Sequence, residues 1–463
     1  MHPPKENLLH IFRAYDIRGI TGKTLFPDII AKAAAIFANI LEEKTRAENV
    51  AVSGDGRTST RALMLAAISG ILSAGLDTYM IPPLPLPIFN YAVWSDQNLH
   101  GGAYITASHN PPEWNGIRFR WSDGTGFSDE NIIIRDRFFE NKVKWSEWNQ
   151  IGHLYERSWE EVTNNYLEFI ANLDLEFEKR LRIIIDPMNG IGGSVIPLLF
   201  RKQHNIITLN SQVDGFFPSG TADPVDGDIS YLQKIVAHSN ANLGIAFDGD
   251  ADRGVVVDEK GRKIPAENLA IIVAEDLLKA GDVVVYNIEC SSILRKYLEE
   301  LGIRAIETRV GDVFVAKYAK KYNAKLGVES SYHFFIPKYG FYYDDAILFT
   351  YILTAILSRK KKPLSELADQ IGYYYVIREN IPVEDALKWR AMEHLKDIIL
   401  HEYPDASTID GIKVYMENAS VLIRPSNTEP VIRMMTEAER EEDAIKLHKV
   451  FREKLMNAIH KEH

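Results

Sequence analysis

Three aspartates at alternate positions, Asp248, Asp250 and Asp252, lie in the segment FDGDADR directly after the apolar run LGIAF. Hard divalent cations take oxygen ligands, and three clustered anions need a cation to coexist, so the segment reads as a Mg²⁺ site. An EF-hand does not fit, because the glycine and glutamate its loop requires do not follow. A solvated acidic turn is the plainer alternative. The segment TASHNP puts Ser108 on a loop after another strand, beside Thr106, His109 and Asn110. Thr106 and Asn110 stand where a hydrolase elbow needs glycine, which argues against acyl chemistry and leaves Ser108 as a candidate covalent phosphate carrier. An ordinary Asn-Pro turn is the other reading. A serine paired with a carboxylate-held metal is a sensible arrangement for phosphoryl transfer, the metal neutralising the phosphate as it leaves.

Other loops supply cations and hydroxyls. RPSNTEP, with Arg433 after it, offers Arg424, Ser426, Asn427 and Thr428, donors that suit a phosphate dianion as well as a salt-bridged surface turn. In GVESSYH, Glu329 and Ser331 can exchange hydrogen bonds with sugar hydroxyls, while His333 alone reads as a structural histidine. FRAYDIRG brings Arg18 toward a phosphate, with Asp16 to orient it. The run Gly190, Ile191, Gly192, Gly193 fails the dinucleotide fingerprint, because Val195 stands where its last glycine belongs, which argues against NAD or FAD.

The elements that position these loops repeat along the chain. Three times an apolar strand, a polar loop, an amphipathic helix and a second strand lead to a third strand that ends in one of the unusual loops. The copies start at VAVSGDGRTST, LRIIIDPMNG and DVVVYNIECSS. A helix with Met64, Ile68, Ile71 and Leu72 on one face follows the first, and Ser291 or Ser292 caps the helix of the third. Such alternation predicts α/β domains with mixed sheets, and ligands gather at the loops that follow the strands. Beyond about residue 370 the pattern changes to YYYVIREN, a helix with Trp389 and Leu395, and two strands around VLIRPSNTEPVIRMM, a smaller C-terminal α+β domain. The expected domains are 1–152, 153–258, 259–371 and 372–463, which suits 463 residues at roughly 100–200 per domain.

Composition limits the partners. With 46% apolar and 25% charged residues each domain can bury a core, and a net charge of −11 argues against non-specific binding to nucleic acid or anionic membranes. Cys290 is the only cysteine, which rules out an intrachain disulfide and a cysteine-built zinc site and fits a reducing, cytoplasmic compartment. The start MHPPKENLLHIF lacks the pattern of a secretory signal, and the apolar stretch from Ala346 to Leu357 is too short to span a bilayer and reads as a buried helix.

Taken together and in order, FRAYDIRG, TASHNPPEWNGIRF, DGDADR, VESSYH and RPSNTEP resemble the motifs of the α-D-phosphohexomutase superfamily, most closely its phosphomannomutase/phosphoglucomutase branch, over nearly the whole chain. The resemblance implies three related α/β domains and a smaller C-terminal one around a central cleft. It implies Ser108 as the phosphoserine, Ser108, Asp248, Asp250 and Asp252 around one Mg²⁺, and Arg253 as their neighbour. Glu329, Ser331 and His333 fall on the sugar loop, and Arg424, Ser426, Asn427, Thr428 and Arg433 on the phosphate side. The implied reaction moves phosphate between O1 and O6 of mannose or glucose phosphate through a hexose 1,6-bisphosphate, with glucosamine phosphate as an alternative substrate. A monomer or weak homodimer is expected. For the hydroxyl proton, His109, Arg18 and Arg118 are the acceptors to consider, and His109 has the most suitable intrinsic pKa. Tyr332 stands where the family has glycine, Arg118 where lysine is common, and Gly220 at a usual histidine. An aspartyl-phosphate phosphatase using Asp248 would want Thr or Val at the position of Asp252, and a silent sugar-phosphate sensor would not need Ser108 together with the full trio.

Overall fold

In the computed structural model, which describes residues 8–426 and 430–461, the strands form four sheets. The first contains β1 (Ile17–Ile20), β2 (Asn49–Gly54), β3 (Asp77–Met80), β4 (Gly101–Ile105), β5 (Trp114–Trp121) and β6 (Leu154–Glu156), in the order β1-β5-β4-β2-β3-β6. The second holds β7 (Arg182–Asp186), β8 (Asn205–Thr208), β9 (Leu243–Phe247) and β10 (Gly254–Asp258), ordered β10-β9-β7-β8. The third holds β11 (Val283–Asn287), β12 (Arg304–Thr308), β13 (Leu326–Val328) and β14 (Phe334–Phe335), ordered β12-β11-β13-β14.

One wiring underlies all three. A central strand (β2, β7, β11) has parallel neighbours on both sides, and a final strand (β5, β10, β14) returns antiparallel to the third strand of its unit. The loop before that returning strand carries Ser108 in the first unit, the aspartates in the second and Glu329 to His333 in the third. The repeat therefore places the three unusual loops at one topological position. β6 pairs with β3, so the first sheet extends past the boundary expected at 152.

Burial explains the strand patterns. β9, LGIAF, is buried along its whole length, the continuous apolar run of a strand covered on both faces. The helix Ala346–Arg359 is buried almost throughout and packs Phe349 on Phe334, ring centroids 3.6 Å apart. Its hydroxyls on Thr350, Thr354 and Ser358 donate to carbonyls three or four residues back, which satisfies them inside the core. Among the described residues no helix is long and apolar enough to cross a membrane. Helix Thr60–Ser73 buries Met64, Ile68 and Ile71 of its expected apolar face and leaves Leu72 half-buried at its edge, and Ser291 caps helix Ser292–Glu300 by accepting from the Ile293 amide.

The fourth sheet is antiparallel: β15 (Tyr375–Pro382), β16 (Ile412–Met416), β17 (Ala419–Pro425) and β18 (Val431–Ala438), ordered β15-β18-β17-β16. Leu395 of helix Asp385–Glu402 packs in its core, whereas Trp389 is exposed. This domain docks on the third unit through polar groups. Buried Lys413 donates through Nζ to the carbonyls of Ile288 (2.7 Å) and Cys290 (2.8 Å), and Glu437 Oε1 accepts from the Ser292 amide at 2.7 Å.

Candidate active site

The Ser108 loop is held from below by a buried ion pair. Asp55 and Arg57 follow β2, and the Arg57 guanidinium donates to four carbonyls of the loop: Ser108 (2.7 Å), Asn110 (2.6 Å), Pro111 (2.6 Å) and Trp114 (3.1 Å). Asp55 takes the Arg57 Nε at 3.1 Å. Neither residue was singled out in the sequence, although VSGDGRTST ends the first strand of its repeat with that pair. Arg57→Lys retains the charge but cannot serve four divergent acceptors. It should cost about 2–4 kcal/mol in denaturant unfolding and lower turnover, because buried carbonyls lose their donors.

Each converging loop contains a non-glycine residue in the left-handed region: Ser108 (φ 50°), Ala251 (φ 63°) and Tyr332 (φ 66°). Such conformations persist only where the surroundings enforce them, and they cluster at functional sites. Tyr332 thus occupies backbone space that favours glycine. Its ring is buried, its hydroxyl donates to Ile264 O at 2.9 Å, and Lys263 lies over the ring.

The serine and aspartate loops touch. Ser108 Oγ donates to Asp248 Oδ2 at 2.9 Å and lies 3.2 Å from His109 Nδ1. Thr106 Oγ1 accepts the Ser108 amide at 2.7 Å and lies 2.8 Å from both Asp55 Oδ2 and Asp250 Oδ2. Gly249 permits the approach, since a Cβ there would sit 2.5 Å from Ser108 O. The Gly190–Gly193 run forms the floor: Ile191 donates its amide to Gly249 O at 3.0 Å, and a Cβ on Gly190 would meet that oxygen at 2.8 Å.

Asp248, Asp250 and Asp252 are all buried and offer ligand atoms within 4.8 Å of one another. Asp250 Oδ1 lacks a hydrogen-bond donor although solvent cannot reach it, and buried Asp252 Oδ1 has only the His333 Nε2 ion pair at 3.4 Å. Burial and the neighbouring carboxylates push Asp248 well above the usual carboxylate range and Asp250 up to about 6. Asp252 stays ionised despite its burial, because His333, Arg118 and Arg253 surround it. The orphaned oxygen and the mutual repulsion are what a bound cation would relieve, so the donor set fits Mg²⁺.

The arginines arrange charge around this centre. Arg18 donates to Asp16 (2.6 Å), Asn110 Oδ1 (2.8 Å) and Ala107 O (3.1 Å), bracing the serine loop. Arg118 donates through Nη1 to Asp252 Oδ2 at 3.1 Å and through Nη2 to Asp312. It is fully buried, and Asp312 and Asp252 more than offset the desolvation, holding its pKa well above the ordinary arginine value. Arg118 is therefore no proton acceptor, which corrects the expectation that it removes the hydroxyl proton, while the Arg18 guanidinium is occupied by three acceptors, two on the serine loop and one on its neighbour Asp16. His109 is pushed strongly down by burial and by Arg253 and Arg18, so it is neutral. Arg253 Nε lies 3.3 Å from His333 Nε2. His333 Nδ1 sits 3.1 Å from Glu329 Oε2 and 3.0 Å from Ser331 Oγ. Glu329 Oε1 is occupied by Asn287 Nδ2 (3.0 Å) and the Gly311 amide (2.8 Å). Only Oε2 is then left to share, so Glu329 is braced within the loop more than the sequence suggests.

A cavity of about 670 Å³ opens between the second, third and fourth domains. Ser331, Tyr332, Arg424 and Arg433 line it, with Lys263, Glu289 and Arg378, none of which the sequence singled out. Glu289 Oε1 receives Arg424 Nε at 2.8 Å and lies 2.7 Å from its Nη2. Ser426 is buried, and its carbonyl accepts from Lys388 Nζ at 2.7 Å. Asn427 and Thr428 lie outside the described residues. Gly220, at φ 119°, has open space around its Cβ position.

Comparison with known proteins converges on one family. Profiles of the phosphoglucomutase/phosphomannomutase α/β/α domains I, II and III match residues 9–144, 164–261 and 265–374, and that of the C-terminal domain matches 379–454. A phosphoglucomutase/phosphomannomutase of Thermococcus kodakarensis is 32% identical, covering 94% of this chain and 96% of that protein. A probable phosphoglucosamine mutase of Methanothermobacter thermautotrophicus is 34% identical, covering 98% of this chain and 100% of that protein. The crystal structure of a phosphoglucomutase/phosphomannomutase family protein from Burkholderia thailandensis superposes with a TM-score of 0.89 at 26% identity, covering 97% of each chain. With its four domains matched in order and its length shared almost completely, the chain belongs to the phosphoglucomutase/phosphomannomutase family of phosphohexomutases, which are isomerases.

Proposed function

We propose that this chain interconverts the 1- and 6-phosphates of a hexose, mannose or glucose, through a phosphorylated Ser108 and a hexose 1,6-bisphosphate. The contact between Ser108 Oγ and Asp248 Oδ2 at 2.9 Å carries the reading, since it joins the phosphate carrier to the metal-binding trio. The phosphoryl group passes from Ser108 to the free sugar hydroxyl: the Ser108 O–P bond breaks, the sugar O–P bond forms, the hydroxyl proton moves to a neighbouring base, and Ser108 Oγ leaves as the hydroxyl by regaining a proton. Neutral His109, 3.2 Å from Ser108 Oγ, is in the protonation state to receive it, and a phosphate dianion on Ser108 would raise its basicity. After the bisphosphate turns over, Ser108 takes back the other phosphate. Asp248, Asp250 and Asp252, with an oxygen on Ser108, would hold Mg²⁺, which when bound supplies a positive charge for the transferring phosphoryl group. Arg253 and Arg118 add fixed positive charge there. Arg424, Ser426, Asn427, Thr428 and Arg433 would grip the phosphate that is not reacting, and Ser331, Glu329 and His333 the sugar.

A second reading, glucosamine phosphate as substrate, is favoured by several curated relatives at 33–34% identity named probable phosphoglucosamine mutases. Measuring kcat/KM for the 1-phosphates of mannose, glucose and glucosamine, with a trace of bisphosphate, decides between them. A preference for glucosamine 1-phosphate of tenfold or more would replace the first reading, and conversion of none of the three would reject both.

A further inference from the structure

Asp250 follows β9 of the second sheet, yet it is the first domain that holds it. Its carbonyl accepts the Leu86 amide at 2.9 Å, at the start of helix Leu86–Ser95, and its Oδ2 lies 2.8 Å from the hydroxyl of Thr106, the residue after β4. Its Oδ1 is buried and has no donor among the described residues. A threonine hydroxyl has a single hydrogen to give, and Asp55 Oδ2 is also 2.8 Å from Thr106 Oγ1. Asp55 is already supplied: Oδ1 accepts from the Arg57 amide (3.0 Å) and the Thr60 hydroxyl (2.7 Å), and Oδ2 from Arg57 Nε (3.1 Å). Among the described residues the Asp250 carboxylate has Thr106 alone, so the hydrogen falls to Asp250 Oδ2. We propose that Thr106 is a positioning residue for the metal site: by donating to Asp250 Oδ2 it fixes the plane of that carboxylate and turns Oδ1 to the cation. The proposal rests on the reading of the aspartate trio as the Mg²⁺ site.

An aspartate side chain turns about χ1 and χ2, and aiming it takes a grip at both ends. Leu86 supplies the grip on the main chain and Thr106 the grip on the carboxylate. Thr106 suits the task because its β-branch stiffens χ1, which fixes the direction of the hydroxyl, and because it is buried, out of reach of competing water. The same hydroxyl oxygen accepts the Ser108 amide at 2.7 Å, next to the backbone that is held at φ 50°. One side chain thus sets the phosphate carrier and a metal ligand in register, although they belong to different domains. Outer partners that orient metal ligands characteristically change metal affinity by about 10–100-fold when removed.

The test is Mn²⁺ binding to the full chain, followed by calorimetry and by the loss of free-ion EPR signal, which reads the site without turnover. Thr106→Val keeps the shape and removes the hydrogen, and it should weaken Mn²⁺ binding about tenfold or more. Thr106→Ser keeps the hydroxyl and should bind close to wild type. Thr106→Cys, near in size but a weaker donor, should fall between them, and it carries the comparison with Thr106→Ser if the valine variant does not fold. Wild-type affinity in Thr106→Val, or in Thr106→Cys where that variant stands in for it, would overturn the positioning role while leaving the metal site standing. So would a loss in Thr106→Ser as large as in the others, because the hydroxyl would then not be the cause. A wild-type chain that binds no Mn²⁺ would overturn the metal site and the positioning role together.

Discussion

Replacing Ser108 with alanine is expected to lower kcat by roughly 10⁴–10⁶-fold, the scale on which loss of a covalent nucleophile registers. Alanine removes the Oγ proposed to carry the phosphoryl group, and with it the hydrogen bond to Asp248. The loop itself should survive, because Arg57 and Thr106 grip its backbone, not the serine side chain: the Ser108 carbonyl goes to Arg57 and the Ser108 amide to Thr106. The melting temperature should therefore stay within a few degrees of wild type, while a coupled assay reads background and radiolabelled hexose 1,6-bisphosphate leaves no acid-stable label on the protein. Turnover within tenfold of wild type would remove Ser108 from the reaction.

Asp250→Asn should show opposite effects with and without metal. Burial and Asp252 raise the Asp250 pKa to about 6, above its value in an unfolded chain. A carboxylate with a raised folded pKa ionises more readily when unfolded, so without metal it opposes folding above about pH 6 and the opposition fades as pH falls through that value. Asparagine cannot ionise, and it can keep the contact with Thr106 Oγ1. In EDTA at pH 7.5 the variant should therefore be more stable than wild type, by on the order of 1–3 kcal/mol. With Mg²⁺ the order should reverse, because wild type gains binding energy and the variant gains little. Turnover should fall roughly 10²–10³-fold, as when one preorganised electrostatic contact is lost. Equal melting shifts on Mg²⁺ addition in the two proteins would show that Asp250 is not a ligand.

Much of the architecture was legible because the repeat is local. Each strand and helix declares itself within a dozen residues, as LGIAF does before the aspartates and as the face of Met64, Ile68 and Ile71 does after β2. The common wiring then follows from the order of elements. The residues that brace the loops were harder to find. Arg57 looked like part of a polar loop and Gly190–Gly193 like a failed nucleotide motif. Glu289 and Trp389 gave no hint of which one lines the cavity and which faces solvent.

Residue identity alone settled which chemical groups are present and which loops carry them: a serine, three alternate carboxylates and a basic turn, each at the end of a recognisable strand. Tertiary structure decided how each group is used. Arg118 reaches Asp312 across 194 positions of chain, and no periodicity encodes such a pairing. Whether a carboxylate oxygen is covered or bare depends on which side chains from other domains pack beside it. That is why the sequence offered Arg118 as a proton acceptor and the folded chain makes it a clamp.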